Sequence, residues 1–231
     1  KSQFVSTVSH ELRTPLTSIT GSLTLINNGV LGKVPDSMRT LLQIAQSNST
    51  QLNNLINDLL DMDKLEAGKL RFNLQPQPLT RLLLQALESN ASYAAQFRIT
   101  LELGHIDPVR VNVDASRLGQ ILNNYLSNAI KFSHPGGVVR VEARYAQGKV
   151  RICVTDTGLG IASDFQHRVF SKFAQADATD TRQRGGTGLG LAISRELAAR
   201  MQGQLGFESK AGHGSRFWCL LNAQPIEDHP A

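Results

Sequence analysis

The chain has 231 residues, of which 41% are hydrophobic and 19% charged, a balance typical of globular domains with substantial cores. Its net charge of +5 comes from scattered lysines and arginines without interleaved aromatic residues, so we predict no nucleic-acid partner. No apolar run approaches the roughly 18 residues that a membrane span requires. We therefore expect this fragment to be cytoplasmic, and its parent protein to be anchored in the inner or plasma membrane through segments absent from it.

Residues 1–70 are predicted to form a hairpin of two helices. Apolar residues recur at three- and four-residue spacing from Phe4 to Leu23, and a second such series runs from Met38 to Met62. Glycines and a proline between Asn28 and Asp36 end the first helix and start the second. Because two helices alone cannot bury two apolar stripes, we predict a homodimer in which two hairpins form a four-helix bundle.

A second domain is predicted after this hairpin. Residues 71–77, within which Gln-Pro-Gln begins a proline-rich run, are predicted to be a hinge. From 78 to 223, helical patterns are mixed with short alternating strands, which predicts an α+β sandwich with helices on one face of a mixed, mostly antiparallel sheet. Residues 224–231 are predicted to be a loose tail. Cys153 and Cys219 lie in apolar alternating segments and are predicted to be buried free thiols.

His10 is the candidate nucleophile of the hairpin. It lies off the apolar stripe, so its imidazole would be open to another molecule, and a neutral ring has a lone pair that can attack an electrophile. Glu11 can fix the tautomer of the ring, and Thr14 lies one turn further along the same face. The same pattern fits an ordinary solvated histidine equally well, so the interpretation depends on a phosphate donor site elsewhere in the chain.

Three polar residues share one side of a helix predicted over 115–132. Asn124 and Asn128 are four residues apart, and Lys131 follows three residues later. Amide oxygens and an ammonium group fit a magnesium ion that bridges phosphate oxygens, with Asn128 and Asn124 as its protein ligands. The alternative is a plain polar helix face.

Two glycine-rich segments complete the candidate site. Asp156 ends a predicted strand, where its carboxylate can accept a hydrogen bond from the amino group of adenine, and Gly158 and Gly160 allow the backbone to approach a flat ligand. The second segment opens a helix whose free N–H groups can hold phosphates. Its candidate residues are Gly186, Thr187, Gly188, Leu189, Gly190 and Leu191. The polar stretch between the two segments, which contains Lys172 and Phe173, is predicted to be a mobile lid.

Taken together, these motifs resemble the sequence boxes of the sensor histidine kinases of two-component signalling, and they occur in the order of that family. The matching segments are Ser9 to Leu16, Asn124 to Lys131, Asp156 to Gly160, Phe170 to Phe173, Gly186 to Leu191 and Gly212 to Phe217. The resemblance implies a dimerisation and histidine phosphotransfer hairpin followed by an ATP-binding domain of the Bergerat type. It implies ATP and Mg²⁺ as the bound nucleotide and metal.

The resemblance also implies roles for individual residues. His10 would accept the phosphoryl group, Glu11 would orient it, and Thr14 would position water if the protein dephosphorylates its partner. The other roles implied are magnesium binding by Asn128 with Asn124, phosphate contact by Lys131, adenine recognition by Asp156, and triphosphate binding by the backbone of Gly188 to Leu191.

The partner implied by the resemblance is a response-regulator receiver, which would take the phosphoryl group from His10 onto an aspartate. Two alternatives stay open at this point. One is a phosphatase-biased or scaffold sensor that binds ATP with little autokinase activity. The other is a hydrolytic ATPase of the same nucleotide fold.

Overall fold

The computed structural model describes residues 2–30, 32–175 and 187–226, and for residues 2–10 it describes the backbone alone. The chain divides into two compact units, Lys1–Leu70 and Arg71–Ala231. No helix of the described residues is both long enough and apolar enough to span a bilayer.

The first unit contains the two predicted helices, α1 over Ser2–Asn27 and α2 over Asp36–Glu66. The helices pack through Leu16 of α1 and through Ile56 and Leu60 of α2, all of which are buried. A polar contact also joins the two helices: the Arg13 guanidinium of α1 donates a hydrogen bond to Asn57 Oδ1 of α2 at 2.9 Å. The predicted helical hairpin is therefore confirmed for the described residues.

Many large apolar side chains of this hairpin remain exposed within the single chain. On α2, neighbouring exposed apolar residues are three or eight residues apart, so they share one side of the helix, beside the stripe that packs on α1. The exposed apolar residues of the two helices are Leu12, Ile19, Leu25, Met38, Leu41, Ile44, Leu52 and Leu55. A second apolar surface next to the intramolecular one is what a four-helix bundle of two hairpins requires.

The described part of the second unit forms a seven-stranded sheet. The strands are β1 (Gln75–Pro78), β2 (Thr100–Ile106), β3 (Val109–Val113), β4 (Val138–Ala146), β5 (Lys149–Asp156), β6 (Gln204–Lys210) and β7 (Gly214–Pro225). Their order is β1-β3-β7-β5-β4-β2, with β6 paired to β7. The β2–β4 pair is parallel and the other pairs are antiparallel, as the prediction of a mixed, mostly antiparallel sheet requires.

Helices cover one face of this sheet and form its core. In the described part of the unit they are α3 (Leu79–Gln96), α4 (Ala115–Phe132) and, after the single-turn α5 (Ser163–Gln166), which has no buried residue, α6 (Gly190–Arg200). Alternate residues of the central strands are buried, such as Val150, Ile152 and Val154 of β5, because successive side chains of a strand point to opposite faces. The predicted α+β sandwich is confirmed.

The structure places Gln75 to Gln77 in an edge strand, whereas the sequence predicts that they belong to a hinge. Proline lacks an N–H group and is tolerated at the edge of a sheet, where β1 has a single neighbour, β3. Residues 71–74 have no regular secondary structure, and Asn73 N donates to Asp114 Oδ2 at 2.9 Å.

Two residues of the predicted loose tail also belong to the sheet. Gln224 and Pro225 extend β7 and lie opposite Arg110 and Val109 of β3. Because β6 pairs with β7 up to Leu220, the later residues of β7 have a free edge that β3 fills. The rest of the predicted tail, 227–231, lies outside the described residues.

Both cysteines are free and buried, as predicted. Cys219 has no exposed surface, and its burial raises the pKa of the thiol to about 12. At neutral pH this thiol is protonated and therefore a poor nucleophile.

Candidate nucleotide-binding site

Helix α4 is fixed at both ends and along one face. The Asp114 side chain caps its first turn, since Oδ1 accepts hydrogen bonds from the N–H groups of Ser116 at 3.0 Å and Arg117 at 3.1 Å. Tyr125, which is buried, donates its hydroxyl hydrogen to the carbonyl oxygen of Trp218 on β7 at 3.2 Å. With this face packed on the sheet, Asn124 and Asn128 lie at the margin of the core and are half-buried.

The two asparagines differ in their hydrogen bonds. Asn124 Nδ2 donates to the carbonyl oxygen of Gly190 at 2.9 Å and lies 3.0 Å from Ser194 Oγ. The Asn128 side chain has no hydrogen-bond partner among the described residues. The nitrogen of the Asn124 amide is thus fully used, and the Asn128 amide is unpaired among the described residues. Both amides leave a carbonyl oxygen available to a hard cation, so this donor set fits Mg²⁺.

Lys131 lies one turn after Asn128 and has its Nζ 4.7 Å from the ring centroid of Phe132. The aromatic ring holds the ammonium group near the C-terminal end of α4. Among the described residues, no group of three or more histidine, cysteine, aspartate or glutamate side chains could hold a metal ion.

Asp156 ends β5 with a carboxyl group that is 6% exposed. Its Oδ1 accepts hydrogen bonds from Gly158 N at 2.9 Å and Ser215 N at 3.3 Å. Burial raises the pKa of this carboxyl above its ordinary value, and the two backbone hydrogen bonds oppose that shift. Oδ2 has no hydrogen-bond partner among the described residues.

The glycines after Asp156 are required by contacts with protein backbone. A Cβ at Gly158 would lie 2.2 Å from the carbonyl oxygen of Phe132, and one at Gly160, where φ is +64°, would lie 2.1 Å from the carbonyl oxygen of Lys210. Leu159 N donates to the same Phe132 oxygen at 3.1 Å. The loop therefore joins the end of α4 to the β6–β7 turn, whereas the sequence reasoning explained these glycines by approach to a ligand.

The predicted lid is described up to residue 175. Phe170 packs on Phe207 of β6 with ring centroids 5.9 Å apart, so this aromatic residue anchors the segment to the sheet. Lys172 is exposed, and Phe173 is 63% exposed at a positive φ of 59°. Phe173 is therefore the aromatic side chain of this segment that solvent or a ligand can reach.

The second glycine-rich segment is described from Thr187 onward, and Gly186 lies outside the described residues. Gly188 has a φ of +69°, and a Cβ there would lie 2.8 Å from the carbonyl carbon of Phe173. Leu189 N donates to Thr187 Oγ1 at 3.1 Å, and the Leu189 side chain is buried. The Leu189 side chain therefore belongs to the core at the start of α6.

On the hairpin, Glu11 and Thr14 are exposed on α1. The backbone of His10 lies in the same helix, while its side chain lies outside the described part of the structure.

Sequence reasoning assigned no role to two serines of this site, Ser194 and Ser215. Both are buried polar residues, and each acts through a partner that is distant in sequence, Asn124 for Ser194 and Asp156 for Ser215. The segment Gly212 to Phe217 carried a signal, since its glycine and serine lie where a strand must approach another backbone closely. Nothing in the local pattern around Ser194 indicates its contact with α4.

The sequence matches two protein families. Residues 1–68 match the His Kinase A (phospho-acceptor) domain, and residues 113–225 match the histidine kinase-, DNA gyrase B-, and HSP90-like ATPase family. The first match covers His10, and the second covers α4, both glycine-rich segments and most of the sheet.

Named relatives and solved structures agree with these matches. The chain is 37% identical over 238 residues to the circadian input-output histidine kinase CikA of Synechococcus elongatus, a match that covers 100% of this chain and 32% of CikA. It is 37% identical to the signal transduction histidine-protein kinase BarA of Escherichia coli K12, covering 96% of this chain and 24% of BarA. It therefore spans a third or less of these relatives.

Among solved structures, full-length ShkA in complex with AMPPNP matches with a TM-score of 0.78 at 32% identity, covering 98% of this chain and 47% of ShkA. The mycobacterial sensor histidine kinase MprB matches with a TM-score of 0.59 at 28% identity, covering 67% of this chain and 100% of that structure. Both units thus have counterparts of the same kind, and the chain belongs to the sensor histidine kinases, ATP-dependent kinases of which it forms the catalytic core.

Proposed function

We propose that this chain transfers the γ-phosphoryl group of ATP to His10 and then to an aspartate of a response-regulator receiver. The observation that carries the proposal is the position of α4 between the two glycine-rich segments. Asn124 bonds to Gly190 at the start of α6, and the Phe132 carbonyl oxygen accepts from Leu159 in the loop after Asp156. These contacts leave amide oxygens, a buried carboxylate and a helix N-terminus beside one helix, which supports the proposal of a single nucleotide site there.

The adenine end of the nucleotide is assigned to Asp156. Its unpaired Oδ2 can accept a hydrogen bond from the exocyclic amino group, while Oδ1 is held by backbone N–H groups. Guanine has a carbonyl oxygen at the corresponding position and would meet the carboxylate with repulsion. The site therefore favours adenine nucleotides.

The phosphate end is assigned to α4 and to the start of α6. Backbone N–H groups of Gly188 to Leu191 would bind phosphate oxygens, and Lys131 would add a positive charge. Asn128 and Asn124 would hold magnesium, which when bound supplies charge neutralisation to the β- and γ-phosphates. Lys172, Phe173, Gly186 and Thr187 are the further nucleotide contacts that the sequence predicts.

The acceptor step requires a neutral imidazole. A ring nitrogen of His10 donates its lone pair to the γ-phosphorus, the bond from phosphorus to the bridging oxygen breaks, and ADP leaves with that electron pair. Glu11 would accept a hydrogen bond from the other ring nitrogen and so keep the attacking nitrogen unprotonated. A receiver aspartate would then attack the phosphorus and release the imidazole.

The dimer and the phosphatase reaction belong to the same proposal. The exposed apolar stripe of α2 supports a homodimer formed through the hairpin. Thr14, exposed one turn from His10 on α1, would position the water that hydrolyses the phosphorylated receiver.

The test is incorporation of label from γ-labelled ATP into the purified chain with magnesium present. We expect a label that is stable in base and labile in acid, since phosphohistidine has a labile P–N bond. His10→Gln should abolish it while changing the affinity for a fluorescent ATP analogue by less than about twofold, because the imidazole is assigned to chemistry and not to binding.

Two results would contradict the proposal. Release of inorganic phosphate without any protein label would favour a hydrolytic ATPase. Label that persists in His10→Gln would place the acceptor on another side chain. A mixture with phosphorylated receiver, timed with wild type and with Thr14→Ala, distinguishes a phosphatase-biased sensor from a kinase.

A further inference from the structure

We propose that Ser194 is a positioning residue that fixes the side-chain amide of Asn124 with its oxygen presented to the metal. This inference rests on the proposed function, because it explains how one of the assigned magnesium ligands is oriented. Ser194 lies on α6, distant in sequence from Asn124, and touches neither the nucleotide nor the metal in the proposed site.

A count of hydrogen atoms determines the orientation of the amide. Ser194 Oγ has one hydrogen, which it donates to the carbonyl oxygen of Gly190 at 2.8 Å. Its oxygen is then an acceptor for Asn124 Nδ2, 3.0 Å away, and the second hydrogen of Nδ2 goes to the same Gly190 carbonyl at 2.9 Å. Both hydrogens of the amide nitrogen are therefore used within the protein.

The opposite orientation of the amide is unfavourable. If the amide were flipped, Asn124 Oδ1 would face the carbonyl oxygen of Gly190. The Ser194 hydroxyl could donate to Oδ1 only by giving up its own bond to Gly190, so two of the three hydrogen bonds would be lost. The amide orientation thus follows from the hydrogen-bond network, in which Ser194 and Gly190 both act as acceptors.

Water cannot replace Ser194 easily, because its side chain has no exposed surface. The start of α6 also closes tightly over the amide, since a Cβ at Gly190 would lie 3.2 Å from Asn124 Cγ. With the nitrogen buried against α6, Oδ1 is the atom of the Asn124 amide that remains for a ligand. An amide that offers an oxygen alone can bind a cation but cannot donate to a phosphate.

The test separates metal binding from nucleotide binding in the full chain. Mn²⁺ serves as a paramagnetic probe in the presence of AMPPNP, and a fluorescent ATP analogue in EDTA reports nucleotide affinity without metal. Ser194→Ala should weaken Mn²⁺ binding by up to about fivefold, the cost of ordering an amide that has lost one of its two fixing hydrogen bonds, each with a net worth of about 1 kcal/mol. Nucleotide affinity in EDTA should change by less than about twofold.

A double-mutant cycle identifies the route of the effect. Asn124→Ala should weaken Mn²⁺ binding by at least as much as Ser194→Ala, and adding Ser194→Ala to it should cause no further loss. In the metal-free protein, the side-chain amide resonances of Asn124 should shift and exchange faster with solvent in Ser194→Ala. That readout does not depend on bound metal or on activity.

Ile193→Val is the matched control, because Ile193 is equally buried, precedes Ser194 on α6 and has a side chain without polar atoms. It should lower stability while leaving Mn²⁺ affinity unchanged. Ser194→Cys fills nearly the same space with a weak hydrogen-bonding group and replaces the alanine variant if the latter does not fold.

The inference is overturned if Ser194→Ala binds Mn²⁺ as wild type does, or if it weakens binding further in the Asn124→Ala background. A different result would contradict the proposed function itself. If Asn124→Ala leaves Mn²⁺ affinity unchanged, Asn124 is not a metal ligand, and both assignments are overturned.

Discussion

The two units of this chain complete their cores in different ways. In the second unit, alternate residues of the central strands are buried under α3, α4 and α6, and backbone segments approach one another so closely that only glycine fits. On the described part of the hairpin, a few residues such as Leu16, Ile56 and Leu60 are buried, while a neighbouring apolar stripe is exposed. The described hairpin thus leaves a second apolar surface uncovered, whereas the described core of the second unit is closed by its own helices.

This difference teaches how to interpret an exposed apolar residue. Leu41 is 68% exposed on a helix whose other stripe already packs within the chain, and it lies on the same side of α2 as further exposed apolar residues, so it belongs to an apolar surface. Leu84, exposed on α3, lies in a unit whose core is already closed, so its exposure alone indicates no partner.

The largest expected effect is on the stability of the second unit, whose core is closed. Gly160→Ala should lower the free energy of unfolding by about 4 kcal/mol or more, because it combines a positive φ with a Cβ that would clash with the carbonyl of Lys210. Gly212→Ala is the matched control, since it has a φ of +76° and no atom near the added Cβ. It should cost about 1–2 kcal/mol.

The measurement is urea denaturation followed by the fluorescence of Trp218, the single tryptophan, which lies in β7 and reports on this unit alone. Equal losses in Gly160→Ala and Gly212→Ala would mean that the close backbone approach does not contribute, and the view of this unit as tightly closed would be wrong.

The next effect concerns the hairpin. Leu52→Glu should weaken the homodimer by about 100-fold or more, because each dimer would have to bury two carboxylates in an interface that is apolar in wild type. Leu52 is 48% exposed in the single chain and lies on the outer stripe of α2. Gln51→Glu adds the same charge one residue away, at an exposed polar position, and should leave the dimer intact.

Sedimentation analysis over a range of concentrations measures this change in dimer affinity. Urea denaturation followed by Trp218 fluorescence should show unchanged stability of the second unit in both variants. If the dimer of Leu52→Glu is as strong as that of wild type, the outer stripe of α2 is not the dimer surface.

The success of sequence reasoning followed the range of the interactions involved. Helix α4 could be predicted residue for residue, because Asp114 caps it locally and its buried residues follow a helical period. The β1 strand could not be predicted, because a segment with two prolines contains no local signal that β3 has a free edge beside it. The end of β7 was missed for the same reason.

The site followed the same rule. Residue type and local position predicted roles for Asp156 and Asn128, since a carboxylate after a strand and an amide on a helix face suggest their chemistry directly. The hydrogen bonds that Ser215 N donates to Asp156 and that Asn124 donates to Ser194 join residues that are distant in sequence. No local spacing could therefore indicate them. The glycines were identified, but their cause, contact with Phe132 and Lys210, required the fold.

The smallest expected effect on stability is at Asp156, a titratable residue buried in the core of the second unit. Burial raises the pKa of this carboxyl in the folded state above its unfolded value, so ionisation at neutral pH costs the folded protein stability. The stability that this group contributes is fully present below its unfolded pKa and is lost as the pH rises through its folded pKa. Asp156→Asn keeps an oxygen for Gly158 N and Ser215 N but has no such titration.

We therefore expect wild type to gain stability relative to Asp156→Asn as the pH is lowered from neutral through the raised pKa. Urea denaturation monitored at Trp218 across that range measures the difference between the two proteins. At neutral pH the variant should be at least as stable as wild type, yet it should bind the fluorescent ATP analogue far more weakly, because the amide nitrogen cannot accept from adenine. A variant that lost stability and nucleotide affinity together at neutral pH would make Asp156 a structural residue of the closed core, and its assignment to adenine would have no support.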